Sequence, residues 1–277
     1  MNYHKIKTTI PFIGSKWKYR NKLYDILTTH FDTNKEYLIY DIFGGSGSLS
    51  LICKDIFKNS KIIFNDYDEI ITDKQNNNVI DEQIDKANNI INEIKQITNY
   101  NETRNNKLNN TELIKNILDK HNADLKNITK SIVESQICFN SRSLKDNQKD
   151  YFNRIRKTDI KHYYNNFKGI QIIHKDFEDI FSEIPNDENI IILLDPPYLN
   201  TQMNGKYKMN YWKLNKYLKM LSFIVFNQKI KFILFEGKES NINDVLDFIS
   251  EITQNDKLKE FKHFELSKNE FVNIINL

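Results

Sequence analysis

Short apolar runs alternate along this chain with longer stretches in which apolar residues recur every three or four positions. The runs at 37–43, 61–66, 169–174, 190–195 and 231–235 are short and dense in Ile, Leu, Phe and Tyr. Each reads as a strand buried on both faces, the pattern of a parallel sheet. A sixth run, 270–275, reads as a closing antiparallel strand. Between them the period lengthens. Leu23, Ile26 and Leu27, with His30 or Phe31, fall on one face of a helix. So do Ile84, Ala87, Ile91 and Ile94, and 214–226 is a third helix. Strands alternating with helices predict an α/β sheet covered on both faces.

That rhythm breaks between about 73 and 162. This stretch is Asn-rich, helical in period and polar near 99–110, and no parallel-sheet strand is evident in it. It is expected to be an inserted, mainly helical subdomain of 73–162, splitting a larger domain into 1–72 and 163–277. A length of 277 residues suits one large domain with such an insertion.

Composition adds little to this picture; charge distribution adds more. The formal net charge is only +3. From Asn200 to Lys231, however, there are seven lysines and no Asp or Glu, and from Arg142 to Lys168 eight Lys or Arg face three Asp. Acid-poor stretches of this kind suit a polyanionic partner. No long uninterrupted apolar stretch predicts a membrane span, and the start, Met-Asn-Tyr-His-Lys, lacks the apolar core of a signal peptide. A cytoplasmic setting follows, in which Cys53 and Cys138 are expected as buried thiols rather than a disulfide or a metal site.

The candidate chemistry sits at strand ends. Asp195-Pro196-Pro197-Tyr198 follows the run Ile190-Ile191-Ile192-Leu193-Leu194. Two prolines stiffen the turn and remove two backbone donors, so its carbonyls stay free to accept. The Asp195 carboxylate and a neighbouring carbonyl could take both hydrogens of an exocyclic amine, and Tyr198 could stack on its ring. Asp41-Ile42-Phe43-Gly44-Gly45-Ser46-Gly47-Ser48 ends the first strand, with glycines that permit a sharp turn and close approach of a ligand, and a helix following from about 46–48. Asp66 ends the second strand about twenty residues on, where doubly wound sheets carry the acid that bonds ribose hydroxyls. Pro11-Phe12-Ile13-Gly14-Ser15-Lys16 offers a bend and a cation for a ligand carboxylate. Asp176-Phe177 follows the third strand as either an adenine contact or a surface turn with a core Phe.

In this order, these segments resemble the Dam-like DNA adenine methyltransferases of the Asp-Pro-Pro-Tyr type, compact bacterial and phage members above all. Their motifs run from cofactor region through target-recognition region to catalytic tetrapeptide. The closing Asn269-Glu270-Phe271-Val272-Asn273-Ile274 resembles the family's terminal acidic-apolar strand. Two segments depart from the pattern. Phe139-Asn140-Ser141-Arg142 and Tyr151-Phe152-Asn153 lack the glycine usual between them in the recognition hairpin. Phe235-Glu236-Gly237-Lys238 stands where Ser-Asn or Ser-Gln is usual.

The resemblance implies a Rossmann-like, S-adenosylmethionine-dependent methyltransferase sheet with 73–162 as the target-recognition insert. It implies methyl transfer to the N6 amine of adenine in double-stranded DNA by base flipping, with S-adenosylhomocysteine as product and no metal. Asp195, Pro196, Pro197 and Tyr198 would be catalytic. Phe12, Gly14, Lys16, Asp41, Phe43, Gly44, Gly45, Ser46, Gly47, Asp66, Asp176, Phe177 and Asp195 would hold the cofactor. Arg142, Lys145, Arg154, Arg156, Lys157, Lys206 and Lys208 are the expected DNA contacts. A monomer or weak dimer would suffice, with or without a cognate restriction endonuclease, in a bacterial cell or encoded by a phage or plasmid. Competing readings are methylation of RNA or of a protein amide, and a catalytically dead DNA-binding protein of the same fold.

Overall fold

The computed structural model describes residues 14–73, 75–97, 111–121, 129, 132–133, 161–197, 214–237, 245, 248, 250–251 and 261–276. The chain divides into two compact units. One comprises Met1–His4, Lys16–Glu69 and Lys168–Leu277; the other comprises Lys5–Ser15 and Ile70–Phe167.

The first unit is a mixed α/β sheet. Its strands are β1 (Leu38–Asp41), β2 (Lys61–Asn65), β3 (Gln171–Ile173), β4 (Ile190–Leu194), β5 (Lys231–Gly237), β6 (Lys262–Ser267) and β7 (Glu270–Ile275). They lie in the order β3-β2-β1-β4-β5-β7-β6. The first five are parallel, and β7 runs antiparallel to both β5 and β6. The order therefore reverses between β1 and β4. In open α/β sheets the crevice beyond the carboxyl ends of strands at such a reversal is where ligands bind. Asp41 and Asp195 stand on its two sides, which is why this fold brings residues 154 positions apart into one place.

All five residues of β4 are buried, as an all-apolar central strand requires. Its even-numbered residues, Ile190, Ile192 and Leu194, join Phe232 and Leu234 of β5 in one core. Two helices cover this face: α5 (Phe177–Glu183) through Ile180 and Phe181, and α6 (Leu214–Phe226) through Met220, Leu221 and Ile224. On the opposite face lie α1 (Arg20–His30) and α2 (Ser48–Ile56), which pack on each other. A 3₁₀ turn, Lys16–Tyr19, leads into α1.

The second unit contains α3 (Val79–Ile97) and α4 (Thr111–His121). The apolar stripe of α3, including Ile80, Ile84, Ala87, Ile91 and Ile94, is buried. Asp81 in its first turn accepts the backbone N–H groups of Tyr163 and Tyr164 at 2.5 and 3.0 Å, tying the helix start to residues more than 80 positions on. Among the described residues, no helix is long and apolar enough to cross a membrane.

Two elements differ from the sequence reading. Asp176-Phe177, read as either an adenine contact or a surface turn with a core Phe, opens a helix over 177–183 whose Phe177 is buried in the core. Asp176 caps it by accepting the Glu178 N–H at 3.0 Å, and Glu178 and Asp179 complement its dipole. Strand β6 had no periodic signal, because only Leu266 of its six residues is buried. It is held by pairing with β7 instead.

Candidate active site

Lys16 organises the crevice. Its ammonium lies 2.7 and 2.6 Å from the two oxygens of Asp195 and 3.0 Å from Glu270. Its position is set from below: the Lys16 backbone N–H donates to Ser48 Oγ at the start of α2, at 3.1 Å. Lys16 is 3% exposed, and its ammonium also sits 5.5 Å from the Phe235 ring centroid. Side-chain direction in the sheet explains the convergence. Successive strand residues point to opposite faces. Phe235 pairs with Val272 and Gly237 with Glu270, so Phe235, Val272 and Glu270 share the face on which Lys16 lies.

Two carboxylates against one ammonium leave this cluster one negative charge in excess. The directions of its titrations follow. Burial pushes the Asp195 carboxyl up, Lys16 opposes it, Glu270 adds to the rise, and the net direction is up. Burial alone would lower Lys16, but Asp195 and Glu270 together outweigh it and hold the ammonium protonated.

Asp41, at the end of β1, is 1% exposed. Its Oδ2 accepts from the Ser50 N–H at 3.1 Å and the Ser50 hydroxyl at 2.7 Å, whereas Oδ1 is buried without a hydrogen-bond partner. Burial, with Asp195 adding and Ser50 and Lys16 opposing, raises this carboxyl to about 7.

The glycine turn follows Asp41. A Cβ on Gly44 would stand 2.0 Å from the Phe64 ring and 2.8 Å from the Asn65 carbonyl, so β2 itself demands glycine there. Gly47, the residue before α2, is left-handed (φ 71°), and its N–H closes the turn on the Gly44 carbonyl at 2.7 Å. Gly45 is also left-handed, and Ser46 is buried. Gly14 has φ 87° in the second unit.

Beyond β2, Asn65 ties three strand ends together. Its amide donates to the Ile42 and Lys175 carbonyls at 3.0 and 2.9 Å and accepts the Lys175 N–H at 3.0 Å. Asp66 is 1% exposed, its backbone N–H bonded to Ile173 and its carbonyl to His174 Nδ1. Asp176 serves as the cap of α5, with Lys216 3.9 Å away. Phe177 lies in the core, 5.7 Å from Phe43 and 5.4 Å from Phe181 between ring centroids. Lys216 also sits over the Phe177 ring at 5.4 Å and pairs with Glu178. Pro196 is buried and Pro197 half-buried.

The structure thus gathers Lys16, Asp41 and Asp195 at one crevice, with Asp66 at the neighbouring strand end. Phe12, Tyr198, Arg142, Lys145, Arg154, Arg156, Lys157, Lys206 and Lys208 lie outside the described residues, as do the two hairpin-like segments of the insert and Lys238. Glu270 was not among the site residues expected from sequence. Its signal was an acid opening a closing apolar strand, and only the β5–β7 pairing carries it to Lys16. A second polar row was also not foreseen. Buried Glu236 accepts from Asn273 at 2.6 Å, and Asn273 Oδ1 lies 2.6 Å from His263 Nδ1.

Fold and site together define an α/β protein with a cluster of buried charges at the strand-order reversal. The chain belongs to the D12 class of N6 adenine-specific DNA methyltransferases, whose family pattern matches residues 12–265. It is also similar to a Haemophilus influenzae protein named "Putative methyltransferase", at 26% identity over 267 residues, covering 92% of this chain and 84% of that protein.

Proposed function

We propose that this chain transfers the methyl group of S-adenosylmethionine to the N6 amine of adenine in double-stranded DNA. The observation that carries this reading is the Lys16–Asp195–Glu270 cluster at the carboxyl end of β4, with its excess negative charge, in a chain of this family.

The residues present suit the cofactor. Asp41 Oδ1 is a buried acceptor without a partner in the crevice, and a cationic ligand group beside it would draw its raised pKa back down. Asp66, at the end of β2, would bond the ribose hydroxyls. Asp41, the Gly44–Gly47 turn, Asp176 and Phe177 would complete the holding set. When bound, S-adenosylmethionine supplies an electrophilic methyl group on a sulfonium and leaves as S-adenosylhomocysteine.

Adenine N6 lies inside the duplex, so the base must be flipped out, at a few kcal/mol. Tyr198 would recover about 1–3 kcal/mol of this by stacking. The N6 lone pair is delocalised into the ring and is a weak nucleophile. Asp195 has both oxygens on Lys16, yet each keeps a further lone pair with which to accept an N–H. Acceptance by Asp195 and by the Pro196 carbonyl would turn the N6 lone pair out of the ring plane. As the new N–C bond forms, the nitrogen becomes positive, and the surplus negative charge of the cluster stabilises it. The nitrogen then gives up a proton to Asp195 or to water. Lys16 would act by fixing the Asp195 carboxylate in place.

Transfer of tritium from labelled S-adenosylmethionine to unmethylated DNA, followed by long-read sequencing, tests the reading. N6-methyladenine concentrated in one short motif is expected. Asp195→Ala should lower the rate roughly 10²–10³-fold or more while cofactor binding persists. Labelling of RNA but not DNA would overturn the substrate, and near-normal turnover in the variant would remove Asp195 from the reaction.

A further inference from the structure

Two of the three segments that build the Lys16 cluster also carry cations with no described counter-charge. On the 3₁₀ turn and α1 these are Lys18, Arg20 and Lys22; on the β6–β7 turn, two residues before Glu270, it is Lys268. Lys18, Lys22 and Lys268 are exposed and Arg20 is half-buried. The segments are stitched together: Tyr19 and Ser267 hydroxyls meet at 3.0 Å, and Lys22 Nζ donates to the Leu266 carbonyl at 3.4 Å. Two aromatic rings lie among them. Arg20 stands 5.5 Å from the Trp17 ring and donates to the Trp17 carbonyl, and Lys18 stands 4.5 Å from the Tyr19 ring.

Some other lysines of this unit pair with acids, Lys58 with Asp55, Lys175 with Glu183, and Lys216 and Lys219 with Glu178, and others, such as Lys229 and Lys262, do not. Among the described residues, Lys18, Arg20, Lys22 and Lys268 form no ion pair, although Asp25 and Glu265 lie on the same two elements. Unneutralised cations interleaved with aromatic rings are the footprint of a phosphate-bearing polymer. Their place matters more than their number. A nucleotide whose base reaches Asp195 brings its sugar and phosphate close to the Lys16 cluster, and these cations lie within a few residues of Lys16 and Glu270 along the chain.

We propose that Lys18, Arg20, Lys22 and Lys268 form a phosphate-contacting surface on the catalytic unit that holds the DNA backbone beside the flipped base. The inference rests on the DNA reading above and adds a contact surface separate from the insert. Such contacts position the duplex without reading its sequence. Each phosphate neutralised releases counterions, so the slope of log K against log[salt] records the number of contacts, at about 0.9 per phosphate.

The test is duplex binding by fluorescence anisotropy over a range of salt concentrations, in wild type and in Lys18→Gln/Lys22→Gln/Lys268→Gln. Arg20 is kept because it also bonds the Trp17 carbonyl. Melting temperature and S-adenosylhomocysteine affinity of the variant serve as controls for folding. The expected result is a slope lower by roughly 2–3, a loss of affinity equal across duplex sequences, and a raised KM for DNA. Wild-type binding with the same slope in the variant would overturn this surface and leave the proposed function standing. Failure of the wild type to bind any duplex would remove both.

Discussion

At the scale of single residues, the site is a problem of excess negative charge held out of water. Lys16 neutralises one of its two carboxylate partners, and Asp41 stands nearby with one oxygen unpartnered. An ordinary Asp titrates near 3.8, whereas Asp41 is raised to about 7 by burial, with Asp195 adding to the rise. The folded chain therefore keeps a proton that the unfolded chain releases. The stability this group contributes is intact below the unfolded value and is lost as pH rises toward 7. Asp41→Asn keeps an acceptor for Ser50 and removes the charge. It is expected to raise the melting temperature more at pH 8 than at pH 5. The gain in stability reaches a few kcal/mol, since each tenfold change in proton affinity is worth about 1.4 kcal/mol. An equal change at both pH values would show that the carboxyl is not held protonated. The same variant should bind S-adenosylhomocysteine more weakly, because the cationic end of that ligand loses its counter-charge.

At the scale of elements, the turn after β1 is fixed by what β2 leaves no room for. A methyl at Gly44 would overlap the Phe64 ring and crowd the Asn65 carbonyl, and overpacking of this kind costs about 1–3 kcal/mol or more. Gly44→Ala is expected to lower the melting temperature clearly, and adding Phe64→Leu should return part of the loss. A single variant that melts like wild type would mean the turn has a conformation with space to spare. Glycines after a first strand suggest ligand approach from sequence alone. Here Gly44 has a sufficient cause inside the protein, and Gly47 answers to its left-handed backbone. The helix at 177–183 carries a parallel lesson. Phe177, Ile180, Phe181 and Ile184 have helical spacing behind a capping Asp, a signal present in the sequence. Strand β6 carried no comparable signal, since one buried residue in six makes no period.

At the scale of the whole molecule, ligand and fold should be linked. A ligand that binds only the folded state stabilises it by about 2.7 kcal/mol at a hundred times its Kd. S-adenosylhomocysteine is expected to raise the melting temperature in this manner, and Asp66→Ala should weaken its binding by about 1–3 kcal/mol, read by calorimetry. Unchanged affinity would take Asp66 out of the ribose role. Asn65 binds the ends of β1, β2 and β3 to one another, so the strand ends that would hold the ligand are already joined.

Strand positions, the main helices and the acids at strand ends were legible in the sequence, because burial imposes period and composition locally. Five parallel strands and the closing antiparallel one fall where the apolar runs lie, with boundaries that differ by at most two residues. Which charges meet was not legible. Nothing local to Lys16 indicates that its partners are Asp195 and Glu270, at 179 and 254 positions' remove. That pairing depends on the strand order, which sets β4 beside β1 and brings β7 against β5, and on the side-chain alternation that turns Glu270 to the same face as Phe235. Period and composition are properties of neighbours along the chain; the electrostatics of the crevice belongs to neighbours in space, and only the assembled sheet decides who they are.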